Sequence, residues 1–372
     1  MSFKEAKIAL VFDWMTIRGG AEKVNTVLYE TFPNATIFSS IFNRNVFPEF
    51  KDTIINTSFL QNLPFAKKKH QLFVNLMPYA YELFDLSKYD IIISSSHSCA
   101  KGVITKPESM HICYCHSPMR YAWDNWHSYI RDYKINPLIK RIGKRKMHKL
   151  RMWDRVSSDR VDYFIANSNT TRKRIEKYYK RPADVVYPLI NSKKFYINDK
   201  SKGYYFAAGR LTSYKKFDLL VNTFNRIGLP LKIAGTGIEE KRLKKIAKPN
   251  IEFLGYVSDK KIKKLYSECE AFLFPQLEDF GITALEAMAS GRPVIAYKQG
   301  GALDTIKENT TGIFFEKQDP VHLKVAIEKY QKMAKKFDPQ KIKSHAEKFD
   351  KTIFKENIKS LVKEKWEEWN KS

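Results

Sequence analysis

Apolar residues along the chain follow two alternating patterns. Short uninterrupted apolar runs bounded by turn-forming residues predict buried strands, and the stretches between them repeat their apolar positions as amphipathic helices do. In the first half the clearest predicted strands are 8–12, 91–95, 110–115 and 163–167. In the second half they are 204–208, 231–234, 251–254, 271–274 and 294–297. This alternation predicts parallel sheets wrapped by helices.

Two such halves predict two doubly wound α/β domains. The boundary between them is predicted in segment 188–203, which is polar and lacks periodicity. The domains are therefore expected at 1–190 and 203–348. The last stretch, 349–372, has a helical composition and carries aromatic residues at Phe354, Trp366 and Trp369.

Length and composition indicate a globular protein. The chain has 372 residues, which is enough for two sizeable cores, and 43% of them are hydrophobic. No apolar run approaches the roughly 18 residues that a membrane-spanning helix needs. The first residues lead directly into strand 8–12 without a signal-peptide pattern, so we expect a cytoplasmic location.

The formal net charge of +26 makes anionic partners a natural expectation. Segment 135–156 combines cations with an apolar stripe, and Phe65 is followed by Lys67, Lys68 and Lys69. Such segments suit an anionic membrane surface, although a helix docked on its own domain would show the same pattern. Nucleic-acid binding is not expected, because no binding module is visible and the charge is spread over the whole chain.

No metal site is predicted. The four cysteines contain no Cys-x-x-Cys pair, and Cys113 and Cys115 are expected to be buried thiols on a core strand beside His111. The chain also contains no Asp-x-Asp sequence that could hold a metal on a diphosphate.

The segment 275–291 carries the clearest chemistry. It follows a predicted strand, crosses an acidic turn at Glu278, and enters a predicted helix at 283–290 that contains Glu286 and stops at Gly291. A helix N-terminus with free N–H groups binds anions, and a carboxylate accepts hydrogen bonds from hydroxyl groups. The combination suits a sugar nucleotide, whereas two ordinary solvated carboxylates would be the simpler interpretation.

The spacing of Glu278 and Glu286 around Phe-Gly, followed by Glu-Ala-Met-Ala-Ser-Gly-Arg-Pro-Val, resembles the donor-site motif of family 4 retaining glycosyltransferases. The resemblance implies the GT-B fold, with two Rossmann-like domains facing a cleft and the final helix packing back on the first domain. It implies that Glu278 contacts the donor sugar, that Glu286 holds the ribose hydroxyls, and that the backbone of Phe280, Gly281 and Ile282 approaches the sugar and phosphate. The family often has Glu where this chain has Asp304.

Two cations follow the predicted strand 204–208. Arg210 and Lys215 suit a diphosphate leaving group, because negative charge builds on it as the glycosidic bond breaks. The resemblance places an Arg and a Lys here. It also implies that glycine loops and a base-contacting loop of the family approach the donor, namely Gly19, Gly20, Gly235 and Val257.

His116 ends the predicted strand 110–115 and matches the family's active-site histidine. The sequence around it resembles bacterial mannosyltransferases of O-antigen and surface-polysaccharide assembly, which implies GDP-mannose as donor and a polyprenyl-diphosphate-linked acceptor. His97, Arg120 and Asp124 are the acceptor-side candidates. The resemblance further implies retention of the anomeric configuration without a metal or other cofactor, at the cytoplasmic face of the inner membrane.

Other functions are compatible with the same residues. A UDP-sugar donor is the nearest alternative, and a hydrolysing sugar-nucleotide epimerase is a second enzyme class. A non-catalytic protein that binds sugar nucleotides would bind the donor without turnover. A basic membrane- or nucleic-acid-binding protein is the alternative of another class.

Overall fold

A computed structural model describes residues 2–124, 126 and 137–371 of the chain; in helix Pro137–Ser157 it leaves out the side chains of 137–140 and 142. The chain forms two compact domains. The first contains Met1–Tyr187 and Phe354–Ser372, and the second contains Pro188–Ile353.

The first domain is built on a parallel sheet of seven strands. In chain order they are β1 (Ile8–Phe12), β2 (Thr36–Ser39), β3 (Ile55–Thr57), β4 (Ile91–Ser96), β5 (Met110–Cys115), β6 (Tyr163–Ala166) and β7 (Asp184–Val185). Their order in the sheet is β3-β2-β1-β4-β5-β6-β7. The direction of strand succession reverses between β1 and β4, and ligands of open α/β sheets bind at such a switch point.

Among the described residues, four helices lie between the strands of this sheet. They are α1 (Gly20–Thr31), α2 (Met77–Glu82), α3 (Pro137–Ser157) and α4 (Asn169–Tyr179). Short 3-10 turns occur at Pro48–Phe50, Phe59–Asn62, His70–Phe73, Ala100–Gly102 and Ser158–Arg160. Strands β4 and β5 are buried at every position, because helices cover both faces of the sheet.

The second domain repeats this architecture with six parallel strands. They are β8 (Tyr205–Ala208), β9 (Leu231–Ala234), β10 (Ile251–Gly255), β11 (Phe272–Phe274), β12 (Val294–Tyr297) and β13 (Gly312–Phe315). The sheet order is β10-β9-β8-β11-β12-β13, so the switch point lies between β8 and β11.

Seven helices belong to this domain. They are α5 (Phe217–Ile227), α6 (Glu240–Ile246), α7 (Asp259–Glu268), α8 (Ile282–Ala289), α9 (Ala302–Thr305), α10 (Pro320–Met333) and α11 (Pro339–Glu347). Among the helices of the described residues, none has the length and apolar content needed to cross a bilayer.

The last helix, α12 (Lys351–Trp369), begins in the second domain, and its residues from Phe354 onward belong to the first. A stripe with a period of four residues is buried, namely Phe354, Ile358, Val362 and Trp366. The ring of Phe354 lies 5.8 Å from that of Tyr114 on β5, and Lys355 Nζ lies 2.8 Å from a carboxylate oxygen of Glu30. Burial of this stripe ties the end of the chain to the first sheet.

The domain boundary differs from the predicted one by a few residues, because segment 188–203 is tied to the start of α12. The N–H of Ile190 donates to the carbonyl of Phe349, and the N–H of Lys351 donates to the carbonyl of Ile190, each at 2.9 Å. Ser192 Oγ donates to Asp350 at 2.6 Å. The expected linker is therefore part of the second domain.

The basic helix α3 docks on its own domain through a buried ion pair. Lys101 Nζ donates to Asp154 Oδ1 at 2.6 Å, and both side chains are fully buried. Tyr179 and Trp123 also donate to the Asp154 carboxylate, at 2.9 Å and 2.7 Å. Trp153 Nε1 donates to Glu82 on α2 at 2.8 Å. The described end of α3 is therefore a structural element of the first domain.

The remaining part of the predicted apolar stripe lies outside the described residues. It comprises Ile135 and the side chains of Leu138, Ile139 and Ile142.

Removing the positive partner of the buried ion pair should destabilise the first domain. In Lys101→Met the Asp154 carboxylate stays buried without its counter-charge, so we expect the free energy of unfolding to fall by about 3–5 kcal/mol. Urea unfolding of the full chain, followed by circular dichroism, measures this. Lys298→Met is the matched control, because it breaks the exposed Lys298–Glu316 pair at 2.6 Å and should cost at most about 1 kcal/mol. Equal stability of the two variants would contradict the structural role of Lys101.

Candidate functional site

In the second domain the predicted site residues gather at the carboxyl ends of strands around the switch point. Arg210 and Lys215 follow β8, and Glu278 follows β11, the strand that pairs with β8. Parallel strands present their carboxyl ends at one edge of the sheet, so residues far apart in sequence meet there.

Lys215 and Glu278 form an ion pair at this edge. The exposed fractions of the two side chains are 16% and 20%, so the pair is largely shielded from solvent. Lys215 Nζ also lies 5.6 Å from the ring centre of Tyr214. The sequence predicted both residues as site residues without predicting that they contact each other.

A close backbone approach holds the Glu278 loop in place. The N–H of Gly301 donates to the carbonyl of Glu278 at 2.9 Å. A Cβ atom on Gly301 would lie 2.2 Å from Cα of Phe280, so only glycine allows the loop after β12 to pack this closely. Phe280 is buried, and its ring lies 5.8 Å from that of Phe349.

Gly281 ends the loop and starts helix α8 at Ile282. Its φ of +100° lies in the left-handed region that residues other than glycine seldom adopt. No side chain caps this helix start within the described part of the chain. The N–H groups of the first turn therefore supply the anion-binding character of a helix N-terminus.

Glu286 projects from the second turn of α8 and is half-buried. The hydroxyl of Tyr266, a fully buried residue of α7, donates to Glu286 Oε2 at 3.1 Å. Burial, and next the nearby Glu286 charge, raise the pKa of Tyr266 well above its usual value, so the phenol keeps its proton and remains a donor. Tyr266 thus orients the Glu286 carboxylate.

The other predicted donor-site residues lie on neighbouring loops of the same edge. Arg210 is exposed, and its carbonyl accepts the N–H of Thr212 at 2.9 Å. Gly235 follows β9, and its N–H donates to the carbonyl of Gly255 at 2.7 Å. Val257 is half-buried in the loop after β10.

In the first domain the carboxylate of Asp13 organises the corresponding edge. Asp13 directly follows β1 and is buried. Its Oδ2 accepts the N–H groups of His97 and Ser98 at 2.7 Å and 2.8 Å, and its Oδ1 accepts those of Cys99 and Ala100, both at 2.9 Å. The loop after β4 is therefore fixed to the end of β1, across the switch point.

Three aromatic side chains converge around His97. The ring of Trp14 lies 4.8 Å from His97 edge to face, and it stacks on His70 at 4.6 Å. The rings of His97 and His116 are 6.3 Å apart. His70, His97 and His116 with Trp14 are called the histidine cluster below.

Burial keeps two of these histidines neutral, and each of them has a hydroxyl partner. His116 Nε2 lies 2.8 Å from Ser95 Oγ, and His70 Nδ1 lies 2.9 Å from Thr16 Oγ1. Burial, with a smaller contribution from His97, lowers the pKa of His116 to about 3 and that of His70 to about 4. Neutral imidazoles can both donate and accept hydrogen bonds, which suits sugar hydroxyls.

Gly19 and Gly20 lie at the start of α1, as the sequence predicted, but an acidic side chain accompanies them. A Cβ atom on Gly19 would lie 2.7 Å from Glu22 Oε2, so the carboxylate folds back over this glycine. Burial raises the pKa of Glu22 above its ordinary value.

The other two acceptor-side candidates follow β5. Arg120 is half-buried. Asp124 forms an ion pair with Arg174 and accepts the hydroxyl hydrogen of Tyr178 at 2.5 Å, so its carboxylate links this turn to α4.

The sequence analysis missed several residues of these sites, namely Asp13, Trp14, Thr16, Glu22, His70 and Tyr266. A signal existed for Asp13, because it immediately follows a predicted strand. No local pattern marks His70, which joins the cluster through its tertiary contacts with Trp14 and Thr16.

The two domains match different glycosyltransferase family models. Residues 18–194 match Glycosyltransferase Family 4, and residues 190–349 match Glycosyl transferases group 1. Together the matches extend from residue 18 to residue 349.

Three curated relatives illustrate the sequence similarity. An uncharacterized glycosyltransferase of Methanocaldococcus jannaschii is 30% identical over 42% of this chain and 47% of the relative. The alpha-1,3/1,6-mannosyltransferase ALG2 of Dictyostelium discoideum is 25% identical over 64% of this chain and 66% of the relative. The GDP-mannose-dependent alpha-mannosyltransferase of Corynebacterium glutamicum is 32% identical over 30% and 27%, respectively. The chain spans about half the length of the curated Methanocaldococcus relatives that it matches.

Solved structures share the fold over nearly the whole chain. The sucrose-phosphate synthase of Thermosynechococcus elongatus has a TM-score of 0.74 at 14% identity and covers 97% of this chain and 99% of that one. The Anabaena protein HepE, in complex with UDP and glucose, has a TM-score of 0.70 at 16% identity, covering 96% and 99%. The prediction of a GT-B fold with two doubly wound domains is confirmed.

The buried histidines should make the first domain less stable in mild acid. Native His116 and His70 have pKa values of about 3 and about 4, whereas unfolded histidine titrates near 6.5. The unfolded state therefore binds more protons below pH 6.5, and the free energy of unfolding should fall as the pH drops from 7 to 5. Each histidine contributes a slope of up to about 1.4 kcal/mol per pH unit.

Urea unfolding at pH 7, 6 and 5 measures this slope. His116→Asn removes one of the titrating groups and should make the slope shallower. An unchanged slope in this variant, or stability that rises on acidification, would contradict the neutral state of His116.

Proposed function

Because the chain consists of two glycosyltransferase domains, we propose that it is a retaining glycosyltransferase that moves a hexose from a nucleotide sugar to a glycan acceptor. One observation carries the proposal. Lys215 and Glu278 meet at the switch point of the second sheet, beside the uncapped start of α8 and the Tyr266-oriented carboxylate of Glu286. This arrangement offers a cation, an anion-binding backbone and two hydroxyl acceptors within one domain.

The donor is proposed to bind in the second domain. Glu286 would accept the two ribose hydroxyl hydrogens, since a carboxylate has two oxygens and Tyr266 fixes their orientation. Glu278 would accept from hydroxyls of the transferred sugar. The backbone of Phe280, Gly281 and Ile282 would approach the sugar and phosphate, while Gly235 and Val257 would lie near the nucleotide.

The leaving diphosphate needs positive charge as the glycosidic bond breaks. Arg210 can bind it with a planar fork of donors, and Lys215 adds a point charge. In the present structure Lys215 pairs with Glu278, so donor binding would let the ammonium contact both groups. These side chains and the helix start are proposed to do this without a metal or cofactor.

The acceptor is proposed to bind in the first domain, near the histidine cluster. Neutral His116 can exchange hydrogen bonds with sugar hydroxyls, and His97 is held in place by the bond from its N–H to Asp13. Arg120 and Asp124 remain the other acceptor-side candidates, whereas Gly19 and Gly20 are the glycines predicted to approach the donor. The carboxylate of Glu22 beside Gly19 favours contact with hydroxyl groups there over contact with a phosphate.

Mannose from GDP-mannose is the proposed donor sugar. Relatives named mannosyltransferases match parts of the chain, including one named as GDP-mannose-dependent. A UDP-sugar is the second candidate, because the structurally similar HepE was solved in complex with UDP and glucose.

The acceptor is proposed to be an oligosaccharide on a polyprenyl diphosphate, used in surface-polysaccharide synthesis such as that of O-antigen. The protein would then act in the cytoplasm as a peripheral protein on the anionic inner-membrane surface. The net charge of +26 supports such a location. Nucleic acid is not a proposed partner.

Binding of the donor should stabilise the chain against heat. A ligand at about 100 times its Kd adds about 2.7 kcal/mol to the free energy of unfolding. We expect GDP and GDP-mannose to raise the Tm in a thermal-shift assay, and Glu286→Gln to abolish the increase. Glu252→Gln is the matched control, because Glu252 lies in the same domain and its exposed carboxylate pairs only at the surface, with Lys232 at 3.0 Å.

Three results would change this proposal. Stabilisation by UDP-sugars alone would replace the donor and keep the site. Stabilisation that survives in Glu286→Gln would remove the proposed ribose contact. Stabilisation by no nucleotide sugar would overturn the transferase proposal.

The product should keep the anomeric configuration of the donor. In the proposed front-face reaction the bond from the anomeric carbon to the diphosphate breaks, and the acceptor oxygen forms its bond on the same face. The departing phosphate oxygen takes the acceptor proton. Glu278 orients the sugar and does not attack it, so NMR of the product should show an α linkage from an α donor.

Mass spectrometry of the chain incubated with donor alone provides the accompanying control. A covalent glycosyl adduct on Glu278 would indicate double displacement, and a β linkage in the product would indicate inversion. Either result would contradict the front-face mechanism.

A further inference from the structure

The first domain exposes several large apolar side chains in one segment between β3 and β4. They are Phe59, Phe65, Leu72, Leu76, Tyr79 and Leu83. The exposed fractions of Phe65 and Leu72 are 71% and 68%. These six residues, together with Lys67, Lys68 and Lys69, are called the docking surface below. Exposed apolar groups that lie next to one another mark interaction sites.

The docking surface stands on an ordered base. On the inner face of α2, Met77 and Tyr81 are fully buried, and the Tyr81 hydroxyl donates to the carbonyl of Phe12 on β1 at 2.9 Å. Because the inner face is anchored in this way, Tyr79 and Leu83 are exposed on the other side. The rings of Phe59 and Tyr79 lie 5.8 Å apart, so the exposed groups of two elements are neighbours.

The backbone holds Phe65 outward in a conformation that bulky residues seldom adopt. Its φ is +61°, and its carbonyl accepts the N–H groups of Lys68 and Lys69 at 2.9 Å and 2.8 Å. The following Ala66 is buried and fixes the turn to the domain. Backbone strain of this kind persists where surrounding structure enforces it, and it clusters at functional positions.

The charge next to these apolar groups selects the kind of partner. Lys67, Lys68 and Lys69 are exposed, and no acidic side chain among the residues that the structure describes lies within ion-pair distance of them. Lysine is depleted from protein interfaces, and single-stranded nucleic acids bind through aromatic stacking, which leucines do not provide. Lysines beside leucine and phenylalanine side chains are typical of segments that bind anionic lipid surfaces.

We propose that the docking surface binds an anionic lipid bilayer, with its apolar side chains in the headgroup region and Lys67, Lys68 and Lys69 against lipid phosphates. The proposal deepens the proposed function, because a lipid-linked acceptor would be held at the same surface. Lys69 is followed by buried His70, which stacks on Trp14, and Trp14 contacts His97. The segment that carries the docking surface therefore also contributes His70 to the histidine cluster.

Co-sedimentation of the full chain with lipid vesicles tests the proposal. The probes are phosphatidylcholine vesicles with and without about a third of phosphatidylglycerol. We expect binding to the anionic vesicles, weakened roughly 100-fold in Lys67→Gln/Lys68→Gln/Lys69→Gln and roughly 10-fold in Phe65→Ser/Leu72→Ser. Matched controls in the second domain are Lys335→Gln/Lys336→Gln/Lys341→Gln and Ile238→Ser, since these lysines are exposed and Ile238 is 72% exposed. They should change binding by less than about threefold.

The outcomes separate this proposal from the proposed function. Three results would each overturn the docking surface. They are an equal loss of vesicle binding in the docking-surface and control variants, equal binding of the chain to neutral and anionic vesicles, and binding to single-stranded RNA without binding to vesicles. The GDP-mannose thermal shift is measured on the same variants and should be unchanged in all of them. The docking-surface variants could lose lipid binding while no nucleotide sugar stabilises either the unchanged chain or a variant. This result would overturn the proposed function and support the docking surface.

Discussion

The first domain depends on the carboxylate of Asp13. A buried charge is tolerated only where hydrogen bonds replace its water, and here four backbone N–H groups from residues 97–100 do so. The same bonds satisfy N–H groups at the start of a 3-10 turn, at Ala100–Gly102. One interaction therefore joins the ends of β1 and β4, fixes the backbone of His97, and sets its distance to Trp14 and His116. The position of His97 in the histidine cluster therefore follows from the hydrogen bonds that satisfy the buried Asp13 carboxylate.

In the second domain, too, loops are held in fixed positions at the switch point, but by backbone packing instead of a buried carboxylate. Its loops at the switch point are positioned by close backbone packing, most clearly where Gly301 contacts the Glu278–Phe280 loop. Lys215 and Glu278 face this edge with opposite charges and form an ion pair there. A site prepared in this way keeps an ammonium and a carboxylate in a largely shielded place, where electrostatic interactions with a charged ligand are stronger than in water.

The large positive charge of the chain serves more than one purpose. Lys101 is fully buried and holds α3 and α4 together through Asp154, so it is part of the core. Arg160 bonds Glu82 and the carbonyl of Gly102, which links α2 to the same region. Lys67, Lys68 and Lys69 instead stand exposed beside apolar side chains. Net charge therefore describes the chain only as a sum, while burial decides which cations are structural and which face a partner.

The sequence by itself determined the two doubly wound domains, because parallel strands covered on both faces, such as β1 and β12, are largely buried and read as continuous apolar runs. It missed β2, β3, β7 and β13, which are short and contain polar residues or glycine, so periodicity has too few positions to detect them.

The sequence also identified candidate site residues, since each lies on a motif or at a strand end. They are Glu278, Glu286, Arg210, Lys215 and His116. Only the tertiary structure decided their partners: the contact of Lys215 with Glu278, the bond from Tyr266 to Glu286, and the position of His70 beside Trp14. Those contacts join residues 20 to 63 positions apart, and their formation depends on how loops fold over a sheet edge, which no local pattern of residue types encodes.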